Sequence, residues 1–571
     1  MAAGDTERFR AARDLLLELG EDHDAACARF RWPRFETFNW ALDWFDPVAR
    51  DSTREALRVV DGGSVASSTY AELSARSGQA ANWLRGRGVA RGTRVLVMLD
   101  NRLATWEVLL AAMKLGAVVI PTYTTISATD LADRVGRGGV THVVTDSALA
   151  DRFTGIADRL TRVGVGPPVP GWAPYGDAYA ESADFTPHGT TRADDPLFLY
   201  FTSGTTSRPK LALHTHTSYP VGHLSSMYWT GVRPGDRHLN ISAPGWAKHA
   251  WSSFFAPFNA EATLLTVRTG TASAPTVLDA LTTQRATTFC APPTVWRMLL
   301  QHDLGRRPDA LRDAGSVGEP LNPEVIERVR RAWGLTVRDG YGQSETTAQI
   351  GNTPGLPVRP GSMGKPLPGY RIALLDPLTG EPGDEGEICV DLADRPVGVM
   401  PGYVGAPEKN AETFAGGHYH TGDIGRRDDD GYLTYVGRSD DVFKSYDYRI
   451  SPFELESVLL GHDDVAEVAV VPAPDPIGLV VPKAFVTLVE GCPPSVAVAR
   501  SILRYAQEHL APHQWIRRLE FGALPKTMSG KIRRAELRAA AGRNGGAESR
   551  EYLLDDLCAP ASAPPGANRQ H

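Results

Sequence analysis

Beginning near residue 68, the chain alternates between helical and strand periods, and this rhythm restricts the fold more than any other feature. The helical pattern TYAELSARSGQAANWLRGRG leads to the strand RVLVML, the helix LATWEVLLAAMKLG, the strand AVVIP, a further helix and then THVVT. Helices alternating with short apolar strands predict parallel sheets with covering helices, an α/β fold. The rhythm returns in APTVLDALTTQRATTFCAPPTVWRMLLQ and PEVIERVRRAWGLTVRDGYG. Between Arg371 and Tyr435 it gives way to short strands and Gly/Asp turns, as in GEICVDL and DDDGYLTYVG, which predict a small β-rich lobe. After GRSDD at 437–441 comes a compact α+β pattern: helix SPFELESVLLGH, strands VAEVAVVPA and PKAFVTL, then helix ARSILRYAQEHL. No internal repeat is evident.

At 571 residues the chain is long for a single core. The texture divides it into a large N-terminal α/β domain of sheets, helices and a β-rich lobe (1–439), a small C-terminal α+β domain (440–542) and a tail (543–571). The Gly/Pro/Ala-rich tail predicts disorder, with EYLLDDL as one helical turn or a partner contact. A net charge of -7, from 60 basic and 67 acidic residues spread along the chain, argues against a nucleic-acid partner. Five cysteines without CxxC spacing indicate neither a disulfide framework nor a zinc site and suit a reducing cytoplasm. The N-terminal stretch carries charge through its apolar residues and reads as an amphipathic helix rather than a secretory signal. WEVLLAAMKLGAVVIP is too short for a bilayer span and contains Lys114, so no membrane span is expected.

FTSGTTSRPK follows the strand LFLYF directly. The backbone N–H groups near Gly204, the hydroxyls of Thr202, Ser203, Thr205 and Thr206, and the charge of Lys210 suit a polyphosphate. The stretch does not match GxxxxGK[ST], and by composition alone it suits an inert polar loop equally well. His418 and His420 flank one strand position; with no third ligand evident in sequence, they read as ordinary histidines.

This loop, followed by VGEP, DGYGQSETT, YHTGD, GRSDD and LPKTMSGKIRR, resembles in order and spacing the motifs of the adenylate-forming superfamily, specifically acyl-CoA synthetases of the acetyl and medium-chain type. The resemblance runs from roughly Phe38 to Arg538. It implies an AMP-forming acid ligase: ATP and a carboxylic acid give an acyl-adenylate and pyrophosphate, and CoA then displaces AMP. Thr202, Ser203, Gly204, Thr205, Thr206 and Lys210 would hold the outer phosphates, with Ser207 departing from a frequent glycine. Gly318, Glu319 and Pro320 would wall the adenine slot, Asp339, Tyr341 and Gly342 would carry the nucleotide strand, and Tyr341 would stack on the base. Ser344 would face the α-phosphate, Glu345 would ligate Mg2+, and Asp423 and Arg438 would grip the ribose and phosphate. Lys531 would be the adenylation lysine, Asp440 the hinge of domain alternation, and Arg449 a retained residue of the second step.

The acid pocket and the acceptor follow from departures within the same resemblance. Gly342 stands where acetate-specific relatives carry tryptophan, which predicts a deep cavity and a medium-chain or aromatic acid. Trp246, Lys248, His249 and Trp251 are expected to line it, with Lys248 or His249 available to a polar substituent. On the CoA side, Gly478, His513, Gln514 and Trp515 replace residues that are basic or Tyr-Lys in relatives, and Asp447 replaces a glycine. Arg517, Arg518 or Arg533 could supply the missing charge. The alternative is an enzyme of specialised metabolism that passes its adenylate to an amine, including nitrite activation for diazotisation of an aromatic amine. A catalytically silent nucleotide sensor is disfavoured by the presence of Lys531, Glu345 and the phosphate loop together.

Overall fold

The computed structural model describes residues 3–156, 159–202, 208–268, 270, 272–445, 448–475, 479–526, 532–542 and 551–558. The first alternating segment builds an eight-stranded sheet in which Arg94–Met98 runs parallel to Val118–Pro121 on one side and His142–Asp146 on the other. The connecting helix Leu103–Leu115 is buried along nearly its whole length, because it has apolar residues on all faces and must be covered on all of them. Its single cation, Lys114, is 3% exposed and meets Asp46 Oδ1 at 2.9 Å and Ser74 O at 3.1 Å. Gly116, at φ +67°, ends the helix in the left-handed conformation.

A thirteen-stranded sheet packs with it. Its parallel centre comprises Thr263–Val267, Arg237–Asn240, Thr288–Ala291, Asp313–Val317 and Arg338–Gly342. Beyond Arg338–Gly342 the sheet turns antiparallel through Ala348–Gly351 and Ser362–Pro366. The expected β-rich lobe is therefore continuous with this sheet, since Ser362 pairs with Thr434 and Gly364 with Leu433. The join depends on Gly364: its φ is +101°, and a Cβ there would lie 2.1 Å from the Gly351 carbonyl carbon.

The last part of the chain forms a separate four-stranded sheet. Val465–Asp475 pairs antiparallel with Leu479–Leu488, which runs parallel to Arg518–Phe521. Helices Pro452–Leu459, Val496–His509 and Arg534–Ala541 flank it. The buried apolar residues of this unit begin at Ile450, whereas those of the large domain end at Leu433 apart from Val436, so the cores divide on either side of Asp440. Within the tail, the EYLLDDL stretch lies in the described part, and it docks on this sheet. Glu551–Leu553 adds a strand against Arg518–Phe521, and Leu554–Cys558 is helical. Tyr552 is 6% and Leu554 3% exposed, and Lys483 joins Glu520 and Glu551 at 2.7 Å each. Two buried apolar side chains and an acidic partner for a buried lysine override the low-complexity flanks.

Candidate active site

The strand Arg338–Gly342 carries glycine at alternate positions, and the structure shows why. A Cβ on Gly340 would lie 2.3 Å from the Trp229 indole, and one on Gly342 would lie 2.5 Å from Trp251 Cη2 and 2.3 Å from the Thr347 carbonyl. The two indoles lie flush against the strand. The cavity expected above Gly342 is therefore not open there: Trp251, 5% exposed and donating its Nε1–H to the Tyr219 hydroxyl at 3.2 Å, occupies that place.

Next to this strand a polar cluster converges on Asp423, which is 5% exposed. Its Oδ2 accepts from the Tyr341 hydroxyl at 2.6 Å and from Gln343 Nε2 at 2.7 Å, and its Oδ1 accepts from Arg438 Nη1 at 3.2 Å. Gln343 also donates to Thr421 O at 2.9 Å and accepts from the Tyr419 hydroxyl at 2.6 Å. Desolvation and the Asp423 carboxylate push the Tyr341 phenol well up, so it stays a neutral donor. Arg438 Nε lies 3.5 Å from Asp440 Oδ1, which ties the cluster to the segment entering the C-terminal unit.

Beside this cluster, Glu345 Oε1 accepts from the Tyr403 hydroxyl at 2.9 Å, and Lys210 Nζ sits 5.2 Å from the Tyr403 ring. Desolvation lowers the Lys210 pKa. The Ser344 carbonyl accepts from His214 Nε2 at 2.8 Å. Asp339 is buried and accepts from the backbone N–H groups of Leu321 at 3.3 Å and Gly340 at 2.9 Å, fastening the 317–321 turn to the strand. Burial raises its pKa to about 8. In that turn Gly318 has φ +112° and Glu319 pairs with Arg297 at 3.3 Å, with Pro320 following.

Of the expected acid-pocket residues, Trp246 stacks on Tyr123 at 4.4 Å and Lys248 Nζ contacts Asn240 Oδ1 at 3.0 Å and Cys290 Sγ at 3.3 Å. His249 is buried 5.2 Å from Trp106, and desolvation lowers its pKa to about 3. Thr202 ends the strand Pro196–Thr202, but Ser203, Gly204, Thr205 and Thr206, expected to hold phosphates, and Lys531 lie outside the described residues, as do Asp447 and Gly478. Arg449 is placed by its backbone pairing with Lys444. A cleft of about 490 Å³ is lined by Ser445, Tyr448, Pro482, Pro512, His513 and Arg517, and Tyr448 stacks on His513 at 4.3 Å. Gln514 donates to Glu454 at 3.4 Å and Trp515 to Leu510 O at 3.1 Å, while Arg517, Arg518 and Arg533 pair with Asp555, Glu551 and Glu536.

Two parts of the site were not read from sequence. Gln343 sits inside DGYGQSETT yet bridges Tyr419, Thr421 and Asp423, and Tyr403, within PGYVG, carries no local signal of its contact with Glu345. His420, which reads from sequence as an ordinary histidine, meets Glu387 and Cys389, which the strand register brings beside it.

The chain belongs to the AMP-binding enzyme family, whose model matches residues 45–404, with the AMP-binding enzyme C-terminal domain matching 454–531. It is similar to 4-hydroxybutyrate–CoA ligase 1 of Metallosphaera sedula, with 41% identity over 88% of this chain and 90% of that protein. The mitochondrial acyl-coenzyme A synthetase ACSM3 of Mus musculus is 36% identical over 88% of this chain and 90% of its own length. Among solved structures, an anthranilate CoA ligase in complex with anthranoyl-AMP gives a TM-score of 0.79 at 28% identity, covering 89% of this chain and 98% of that one. The protein is an AMP-forming ligase.

Proposed function

We propose that this ligase joins a medium-chain or aromatic carboxylic acid to CoA through an acyl-adenylate. The acid's carboxylate oxygen attacks the α-phosphorus of ATP and pyrophosphate leaves. The CoA thiolate then attacks the acyl carbon, and AMP leaves with the acid's former oxygen. The observation that carries this reading is the convergence of Tyr341, Gln343 and Arg438 on the buried Asp423 carboxylate. That carboxylate is an acceptor suited to the two ribose hydroxyls, and its neighbours are donors that hold it in place.

Within this reading, Thr202 through Thr206 and Lys210 take the outer phosphates, Gly318 to Pro320 wall the base, and Ser344 faces the α-phosphate. Glu345 fits a magnesium site: it is a hard oxygen donor on the same side as Lys210, with Tyr403 orienting one of its oxygens. A bound Mg2+ would neutralise phosphate charge there. Lys531 supplies positive charge at the transferred phosphoryl group, and Asp440, already linked to Arg438, is the pivot between steps. The division of the cores near residue 440 supports a domain boundary there, with Glu551–Cys558 joining the second domain.

Trp251 closes the acid pocket beside Gly342 and sets the reach of the acid, while Trp246 and Lys248 lie on the same segment. The cleft with the Tyr448–His513 stack and Arg517 suits an adenine nucleotide, so it is our candidate for the nucleotide end of CoA. The relatives described above are named as CoA ligases and acyl-CoA synthetases, which favours CoA over an amine acceptor or nitrite activation. We place the enzyme in the cytoplasm, where its five unpaired cysteines stay reduced. Incubation with ATP, Mg2+ and a panel of medium-chain, aromatic and aminoaromatic acids, with and without CoA, tests the reading. A thioester that requires CoA supports it; an amide or diazo product without CoA defeats it.

A further inference from the structure

Away from the nucleotide face, the strands Glu385–Asp391 and His418–Arg427 bring three ligand-bearing side chains together. Cys389 and His420 are direct register partners, and an irregularity between Glu387 and Cys389 turns Glu387 toward the same ring. Along His418–Arg427, Tyr419, Thr421 and Asp423 are buried while His418, His420 and Gly422 are half-buried, so the group lies on the opposite face from the Asp423 cluster. His420 Nδ1 is 2.9 Å from Glu387 Oε2 and 3.5 Å from Cys389 Sγ. We propose that Glu387, Cys389 and His420 form a site for a thiolate-seeking divalent transition metal, with Zn2+ as the ion that fits best, clamping the two strands together.

The geometry agrees with a tetrahedral ion. Zinc bonds of about 2.3 Å to sulfur and about 2.0–2.1 Å to nitrogen or oxygen separate sulfur from nitrogen by about 3.5 Å and nitrogen from oxygen by about 3.3 Å. The first separation is already present, and the second needs an opening of about 0.4 Å.

The hydrogen bonds point the same way. His420 Nε2 lies 3.3 Å from the Ala415 carbonyl, and donating there leaves the Nδ1 lone pair facing the Glu387 carboxylate. Two acceptors at that distance need a cation or a proton between them. A backbone carbonyl on the distal ring nitrogen is also how metal-binding histidines are oriented. Glu387 is fixed in turn, since its other oxygen accepts from Gly422 N–H at 2.7 Å.

Cys389 is fully buried at the base, and His420 and Glu387 reach the surface with side chains 27% and 16% exposed, leaving the fourth position for water. Forming the metal–sulfur bond exchanges the thiol proton, which passes to solvent, for the ion. Zn2+, Co2+ and Cd2+ drive that exchange, whereas Mg2+ does not.

The test is to titrate the metal-stripped full-length protein with Co2+. We expect one ion per chain, a thiolate-to-cobalt charge-transfer band, the ligand-field bands of a tetrahedral ion, and their loss when Zn2+ is added. Cys389→Ser and His420→Gln should each weaken Zn2+ binding by more than about a hundredfold, beyond the loss expected from altering an outer contact. His418→Gln should leave it unchanged, and Zn2+ should raise Tm in the wild type but not in the two ligand variants. Thermal unfolding of the metal-free variants establishes that each is folded. Absence of the charge-transfer band, or equal Zn2+ affinity in folded Cys389→Ser, His420→Gln and wild-type protein, overturns the proposal and leaves a His420–Glu387 ion pair beside an inert thiol.

Discussion

Replacing Trp251 by alanine should lengthen the acid that the enzyme prefers. The indole lies against Gly342, so its removal leaves space continuous with the proposed acid pocket. Each methylene that enters that space gains about 0.8 kcal/mol, roughly fourfold in kcat/KM. Three further methylenes should then shift selectivity by roughly fiftyfold toward the longer acid. The same truncation costs stability, about 3–5 kcal/mol for a buried tryptophan, and breaks the bond to Tyr219. Trp251→Leu is the milder companion and should give a smaller shift in the same direction. The assay is kcat/KM for a straight-chain acid series, with thermal unfolding showing that each variant is folded. An unchanged chain-length optimum in folded Trp251→Ala would refute the placement of the pocket floor.

Three other outcomes follow. Asp423→Asn replaces an acceptor by an amide among three donors; at about 1.5–3 kcal/mol for each of two charge-assisted ribose contacts, kcat/KM for ATP should fall roughly a hundred- to ten-thousandfold, and a loss under tenfold contradicts the assignment. Buried histidines should make the fold acid-labile. Desolvation lowers the pKa values of His214, His238 and His249 to about 3 and of His216 to about 4, so their stabilisation is present above pH 6.5 and is lost as pH falls toward those values. Each ring contributes roughly a kcal/mol per pH unit in that window, and a Tm that stays flat from pH 7 to 5 argues against the effect. Tyr552→Ala should destabilise the C-terminal unit by about 2–4 kcal/mol, measured by denaturant unfolding, and no change would mean that the strand Glu551–Leu553 is not docked in solution.

The alternation of helix and strand was legible because its periods differ and each apolar run has a defined length. The motifs singled out residues that the fold gathers, since Tyr341, Asp423 and Arg438 come from separate short patterns and meet in one cluster with Glu345 beside it. Contacts made at long sequence separation were not legible. Trp251 lies against Gly342 although the two are 91 positions apart in sequence, so the glycine read as an opening is a seat for an indole. Tyr403 reaches Glu345 from an unremarkable PGYVG turn. In the tail, EYLLDDL stands out from its flanks as a turn or contact, but its strand Glu551–Leu553 was not legible, because it depends on distant partners at Lys483 and Arg518–Phe521. His420 gains Glu387 and Cys389 through strand register, which the spacing of histidines alone does not reveal.

The most direct test of the central claim follows one oxygen atom. An accepted acid is labelled with heavy oxygen in its carboxylate and turned over with ATP, Mg2+ and CoA, and the AMP is examined by mass spectrometry. Passage through an acyl-adenylate places a single labelled oxygen in the phosphate of each AMP and releases pyrophosphate without label. AMP free of label, formed together with the thioester, would contradict the account.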